Sequence, residues 1–332
     1  MNARTIKKYF TIDKKPRKGL LTFEWVVMAY LAFTLLIALF AYTKLVNPDA
    51  MIWGRMRIVA MTIALWAVYR VWPCRFTIFI RAIAQMGLLA WWYPDTYEIN
   101  RIIPVLDHVF AAMDEHLFGF QPALLFAEAV PYPIVSELMN MGYFFYFALL
   151  AIVPFHYFFL RYEDFERCVF IILGGFMTFF VVFDFVSVVG PTYYYKAIGL
   201  QQIAQGVFPA VGDYFNTHAD CLPMPGYDKG FFYGLVEAVK SDGERPTAAF
   251  PSSHVGMTVV CMLLLWRNGL HKSFYSLLPI CLFLCMATVY IQAHYFVDTI
   301  AGLLAGVILY YGWLIISNQI KVFKPHGRKR KR

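Results

Sequence analysis

Runs of apolar residues recur along this chain, and each approaches the roughly 20 residues a helix needs to cross a bilayer. Eight can be drawn, at about 22–45, 56–73, 77–94, 134–160, 168–190, 252–268, 274–292 and 296–317. The second and third are short and interrupted by Arg70, Pro73 and Arg75, which predicts a helical hairpin. Between the third and fourth, segment 98–130 mixes Asp107, His108, Asp114, Glu115 and His116 with Leu, Phe and Ala. That pattern predicts an amphipathic helix lying at the membrane interface. Between the fifth and sixth comes 191–251, rich in Gly, Pro, Tyr and Asp. A connection of that length is usually functional or disordered, and its tyrosines and apolar residues predict an ordered structure against the membrane. The expected fold is an all-α polytopic membrane protein with about eight transmembrane helices plus the interfacial helix.

Composition agrees. The 332 residues are 60% hydrophobic, 19% aromatic and 15% charged, against about half apolar and a quarter charged for soluble domains. A soluble enzyme, a disordered chain and a nucleic-acid module are all disfavoured. The net charge of +8 is concentrated at the ends, with seven basic residues in 1–19 and seven in 320–332, ending in the run Arg328 to Arg332. Eight spans put both termini on one side, which then holds 21 of the 29 Lys and Arg, leaving 8 on the other. Positive charge stays in the cytoplasm, so 191–251 faces the periplasm or a lumen, and anionic-lipid contact is a by-product. The chain divides into a basic leader (1–21), N-terminal helices with the interfacial helix (22–133), a core (134–317) and a basic tail (318–332). No cleaved signal peptide is expected, because the first apolar stretch is too long for one. The six cysteines show no metal-ligand spacing, and no disulfide is predicted.

Candidate chemistry concentrates in the last third. His254 follows Phe250-Pro251-Ser252-Ser253 and opens one span; His294 and Asp298 open another. Ionisable residues at spans are costly and usually functional. The i, i+4 spacing puts His294 and Asp298 on one helix face, where the carboxylate can fix the imidazole tautomer and leave the other nitrogen as a nucleophile. Both histidines emerge on the same side, each at a helix N-terminus suited to an anion, with Ser252 as an N-cap. The set suits phosphoryl transfer through a phosphohistidine. Arg245, with the Ser252 and Ser253 amides, is expected to clamp phosphate oxygens. No cofactor or metal is expected, since Asp213, Asp220, Asp228 and Asp242 are spaced too widely to build one coordination sphere locally. Asp184, inside a span, is either a buried acid or a group facing a polar cavity. Gly302-x3-Gly306 reads as close helix packing, and His156 and His271 as interfacial side chains.

Pro251-Ser252-Ser253-His254 followed by His294-x3-Asp298 resembles the type 2 phosphatidic acid phosphatase superfamily, whose members carry these motifs on a six-helix core. The resemblance covers about 134–317. Two features depart from the phosphatases. Thr288 stands where they carry an Arg six positions before the second His. Arg245-Pro246 lies close before Pro251, with Ala238 where a Lys would stand. His294-Tyr295-Phe296-Val297-Asp298 resembles the corresponding block of inositol phosphorylceramide and sphingomyelin synthases. Asp114-Glu115-His116-Leu117-Phe118-Gly119-Phe120-Gln121-Pro122 resembles a segment of the former, and Gly190-Pro191-Thr192-Tyr193-Tyr194-Tyr195 another in part. The resemblance implies phosphoinositol transfer from phosphatidylinositol to ceramide with release of diacylglycerol. It implies catalysis by His254, His294 and Asp298, with Tyr193, Tyr194 and Asp184 as candidate contacts for the substrate. A lipid phosphate or polyprenyl diphosphate phosphatase is the alternative. A transporter is disfavoured by the lack of an internal repeat. The expected location is a bacterial inner membrane with a periplasmic site, or a Golgi or ER lumenal face in a eukaryote.

Overall fold

The computed structural model describes residues 3–243 and 245–323; the Arg328 to Arg332 run and the side chains of Arg4 and Asp242 lie outside the described residues. Helices carry the described chain, with no strand among these residues. The short α1 (Ala3–Phe10) precedes α2 (Thr22–Phe40), α3 (Pro48–Val71), α4 (Arg75–Gly87) and α5 (Leu89–Asn100). Two short helices follow, α6 (Asp107–Phe118) and α7 (Pro122–Ala129), then the long α8 (Pro133–Leu160) and α9 (Phe165–Phe185). The segment 191–251 is ordered and holds α10 (Pro191–Ile198), α11 (Leu200–Ala204) and α12 (Phe231–Gly243). The chain ends with α13 (Ser253–Arg267), α14 (His271–Tyr290) and α15 (Phe296–Gln319).

Seven segments are long and apolar enough to cross a membrane, with α4 and α5 counted as one 26-residue span. The eighth apolar run is α13, of only 15 residues, or about 22 Å at 1.5 Å per residue. That is short of the ~30 Å hydrocarbon layer. Its first turn carries His254. α9 is the most buried span and packs against α2, α5, α13 and α15, while α8 packs on α14 and α13 on α15.

The second and third spans are longer than the apolar pattern suggested, because charges inside them are paired. Arg55, expected in a loop, is buried in α3 and donates to both carboxylate oxygens of Asp95 on α5, at 3.1 and 2.7 Å. Arg81 on α4 pairs with Glu24 on α2, both fully buried. A buried charge is tolerated only when paired and hydrogen-bonded, and the pairing lets helix continue through residues that would otherwise end a span.

Contacts sort the turns by end. Asp13 N–H donates to the Pro73 carbonyl at 2.7 Å, and Arg17 pairs with Glu166. Arg167 donates to the Phe323 carbonyl at 3.1 Å, and Asn268 donates to Tyr157 Oη. Both ends of the described chain and the turns near 73, 161 and 268 therefore gather at one end. The segments around Asp107, 186–252 and His294 gather at the other.

The interfacial helix differs from its expected orientation. Asp107 and Asp114 on α6 are fully buried, while Val109, Met113 and Leu117 are exposed. The two aspartates face the protein together with Phe110 and Ala111, and the outward side carries Val109, Met113, His116 and Leu117.

Gly302 and Gly306 let α15 lie against α13. A Cβ on Gly302 would overlap the Ser252 carbonyl, and one on Gly306 would come 2.5 Å from the Gly256 carbonyl. By contrast, a Cβ on Gly312 would meet nothing within 4 Å. Gly306→Leu should therefore destabilise the protein by about 1–3 kcal/mol, as overpacking does, while Gly312→Ala should be neutral or stabilising. Thermal melting in detergent checks this; equal melting temperatures for both variants would contradict the packing.

Candidate active site

Three chain segments meet at the buried start of α13 and α15. Val188 carbonyl accepts from Ala249 N–H at 2.9 Å, Gln292 carbonyl accepts from Thr192 N–H at 3.1 Å, and Asp298 carbonyl accepts from Ser252 N–H at 3.1 Å. The two non-glycine residues with left-handed φ among those described, Ala248 (65°) and Gln292 (62°), flank this junction. Such conformations cost energy and persist where the surroundings impose them, often at functional sites. Gly190 sits here with φ 94°; a side chain would come 2.7 Å from the Ala293 carbonyl, so only glycine fits.

The junction brings the two histidines together. Their ring centroids are 5.7 Å apart. His294 is 3% exposed, and its Nδ1 lies 2.7 Å from the Ala249 carbonyl. A carbonyl only accepts, so Nδ1 carries the proton, and in the neutral ring the lone pair is on Nε2. His254 is held differently. Tyr143 stacks on it at 4.7 Å and 22°, and Tyr146 lies against it at 4.3 Å. Both tyrosines come from α8, three residues apart. The His254 Nδ1 has no hydrogen-bond partner among the described residues, so aromatic packing sets its orientation.

Asp298 acts otherwise than the spacing suggested. Its Oδ2 is 3.8 Å from His294 Nδ1, beyond hydrogen-bond distance, and accepts instead from Tyr295 N–H at 3.0 Å. The tautomer is set by a backbone carbonyl; Asp298 caps its own helix, with its carboxyl close to the ring but not bonded to it. The anion-binding reading of the α15 N-terminus also changes. The Phe296 and Val297 N–H groups donate to Asp114 at 2.8 and 3.0 Å, so carboxylates already occupy that helix end.

His254, His294, Arg245, Ser253 and Tyr193 line one small cavity with Tyr93, Tyr143 and Thr192. Its volume is about 30 Å³, close to the space of one water in the liquid. Arg245 is exposed at its edge. Other candidates lie elsewhere. Ser252 caps α13, its Oγ accepting from Val255 N–H at 3.4 Å, and its own N–H is spent on Asp298. Tyr194 is buried and donates to the Pro209 carbonyl at 2.8 Å. Asp184 is buried against Tyr30, whose hydroxyl donates to it at 3.2 Å, and does not line the cavity. Thr288 is buried, with its Oγ1 3.0 Å from Thr299 Oγ1. Among the described residues no group of three or more His, Cys, Asp or Glu converges as a metal site.

The sequence reading missed the two acids of α6 as parts of the site. Asp107 accepts from the Val189 and Gly190 N–H groups, each at 2.9 Å, and from the Tyr295 hydroxyl at 3.0 Å. With Asp114 it ties α6 to both segments beside His294. The available signal was the pair's i, i+7 spacing, two helical turns on one face.

Burial raises the Asp107 carboxyl from 3.8 to about 7, against the pull of its three donors. A folded-state value above the ordinary one means that the folded protein holds this proton longer than the unfolded chain. Its contribution is full below about pH 4 and is lost as pH rises towards 7. The melting temperature should therefore fall between pH 5 and pH 7.5, and Asp107→Asn, though less stable overall, should flatten that slope. An unchanged slope in the variant would show that another group causes it. Asp114→Ala should lower the melting temperature by orphaning two buried N–H groups, each costing about 1–3 kcal/mol.

A sequence model of the PAP2 superfamily matches residues 108–312. No curated protein matches the chain, and no solved structure does. The matched stretch is more than half of the chain and contains α8, α9, α13, α14 and the first two thirds of α15, with both histidines and Asp298. The chain belongs to the PAP2 superfamily.

Proposed function

We propose that this protein is a lipid phosphotransferase that moves phosphoinositol from phosphatidylinositol to the primary hydroxyl of ceramide, releasing diacylglycerol. Superfamily membership and the long apolar helices make it a multi-pass membrane protein of the lipid phosphatase and phosphotransferase type. The observation that carries the finer reading is the pair of facing imidazoles, one with its tautomer fixed by the Ala249 carbonyl. His294 Nε2 attacks phosphorus and the bond to the glycerol oxygen breaks. His254 gives its proton to the departing alkoxide. The ceramide hydroxyl then loses its proton to His254 and attacks phosphorus, and the P–N bond breaks. Arg245 at the cavity edge holds non-bridging oxygens, a role suited to its planar fork.

Two features favour transfer over hydrolysis. The cavity is narrow, about 30 Å³, and its lining includes the rings of Tyr93, Tyr143 and Tyr193, which limits the water beside a phosphohistidine. Thr288 leaves the site without the second cation of the phosphatases, fitting a singly charged phosphodiester better than a dianionic monoester.

Purified protein given labelled phosphatidylinositol should transfer label only when ceramide is present; label released as free phosphate from a monoester would favour the phosphatase reading. Transfer should survive excess EDTA. Arg245→Lys should impair turnover almost as much as Arg245→Ala. Asp298→Asn should cost less than the ~10⁴ of a carboxylate that sets the tautomer, because its oxygen lies 3.8 Å from Nδ1 and is not bonded to it.

The predominance of basic residues at the end opposite the histidines supports a periplasmic or lumenal site. Cys221, the one exposed cysteine among the described residues, lies in segment 191–251. A membrane-impermeant maleimide should label it in intact cells. Labelling only after permeabilisation would invert the orientation.

A further inference from the structure

At the end of the bundle opposite the histidines, α1 borders a second cavity, open to its surroundings. It is held there by Tyr9 against Phe158 of α8, with ring centroids 5.0 Å apart, and by Phe10 against Phe76 and Trp72 beside the α3–α4 turn, at 5.0 and 5.9 Å. The space is about 730 Å³, within the range of small-ligand sites. Lys7, Lys8, Lys14 and Arg75 line it, over a floor that includes Tyr69 and Ile78.

The positive charges there are poorly answered. Among the described residues no carboxylate lies within ion-pair distance of Lys7, Lys8 or Lys14. Two acids share the wall. Asp13 accepts from the Lys15 N–H at 3.0 Å. Glu163 lies 3.9 Å from Arg75 with its side chain 92% exposed, where a pair contributes little. Like charges gathered around one concavity focus a field that favours an anion. The neighbouring surface also exposes apolar side chains, with Ile12 60% and Val71 86% exposed. A soluble anion would have no use for that surface; an acyl chain would.

We propose that this cavity is a second, non-catalytic site that takes the phosphate-bearing headgroup of an anionic phospholipid. Lys7, Lys8, Lys14 and Arg75 hold the phosphate, and the acyl chains run over Val71. The site stands apart from the histidines, so it can fail without affecting the proposed reaction, and the converse holds.

The full chain in phosphatidylcholine nanodiscs, with and without phosphatidylglycerol, tests this by thermal melting. Phosphatidylglycerol should raise the melting temperature of the wild type. Lys7→Ala/Lys8→Ala/Lys14→Ala should lose most of that rise, and the corresponding Lys→Arg triple should keep it. Lys18→Ala/Lys272→Ala/Lys321→Ala removes equal charge from exposed positions at the same end and should also keep most of it. The triples' melting in phosphatidylcholine alone shows whether they fold. An undiminished rise in the first triple, or an equal loss in both alanine triples, overturns the site. A rise of the same size from inorganic phosphate in phosphatidylcholine discs overturns the lipid assignment in favour of a free anion.

Discussion

The first turn of a helix leaves backbone N–H groups without partners, and in this protein the first turn of α15 is buried where little water reaches. The arrangement around it follows from satisfying those groups. Asp298 takes the Tyr295 N–H and Asp114 takes those of Phe296 and Val297. Asp107, two turns away on the same face of α6, takes the N–H groups of Val189 and Gly190 and the Tyr295 hydroxyl. His294 is the residue just before this turn, so its position is inherited from carboxylates it does not touch. The Ala249 carbonyl then needs only to accept from Nδ1 to set the ring for attack through Nε2.

The N-terminal helices brace the same junction from outside. Asn100, at the end of α5, donates to the Phe183 carbonyl at 3.2 Å and to Thr247 Oγ1, joining the end of α9 to the segment that carries Arg245 and Ala249. Tyr97 and Arg101 donate to the Phe215 and Asn216 carbonyls, both at 2.8 Å, fixing segment 191–251 over the site. The buried Arg55–Asp95 pair holds α5 in register with α3. Removing one partner of such a pair is costly because it strands the other charge, so these ionic contacts have structural consequences for a site they do not line.

Much of this was legible in the sequence, for reasons that can be named. The spans follow from the bilayer's thickness, and Pro251-Ser252-Ser253-His254 with His294-x3-Asp298 marked two catalytic candidates whose rings the fold brings to 5.7 Å of each other. Gly302 and Gly306 announced a close helix crossing. The departures come where partners are distant in sequence. Asp107 and Asp114 read as the wet side of an interfacial helix, because nothing local shows that their acceptors' partners lie about 80 and 180 residues away. Asp298 looked like the orienter of His294 because i, i+4 spacing is visible and a carbonyl from residue 249 is not. Arg55 and Asp95 fell just outside the expected spans for the same reason, and Asp184, bonded by Tyr30, matches the buried-acid alternative.

The central claim is that His294 Nε2 carries the phosphoryl group between two lipids. Acid-free quenching of the protein during turnover of phosphatidylinositol, followed by peptide mass spectrometry under alkaline conditions, tests it most directly, since a phosphohistidine survives base and is lost in acid. The account predicts a phosphoinositol adduct on the peptide containing His294, absent in His294→Ala and discharged by added ceramide. An adduct on His254, or sustained transfer by folded His294→Ala, would contradict it.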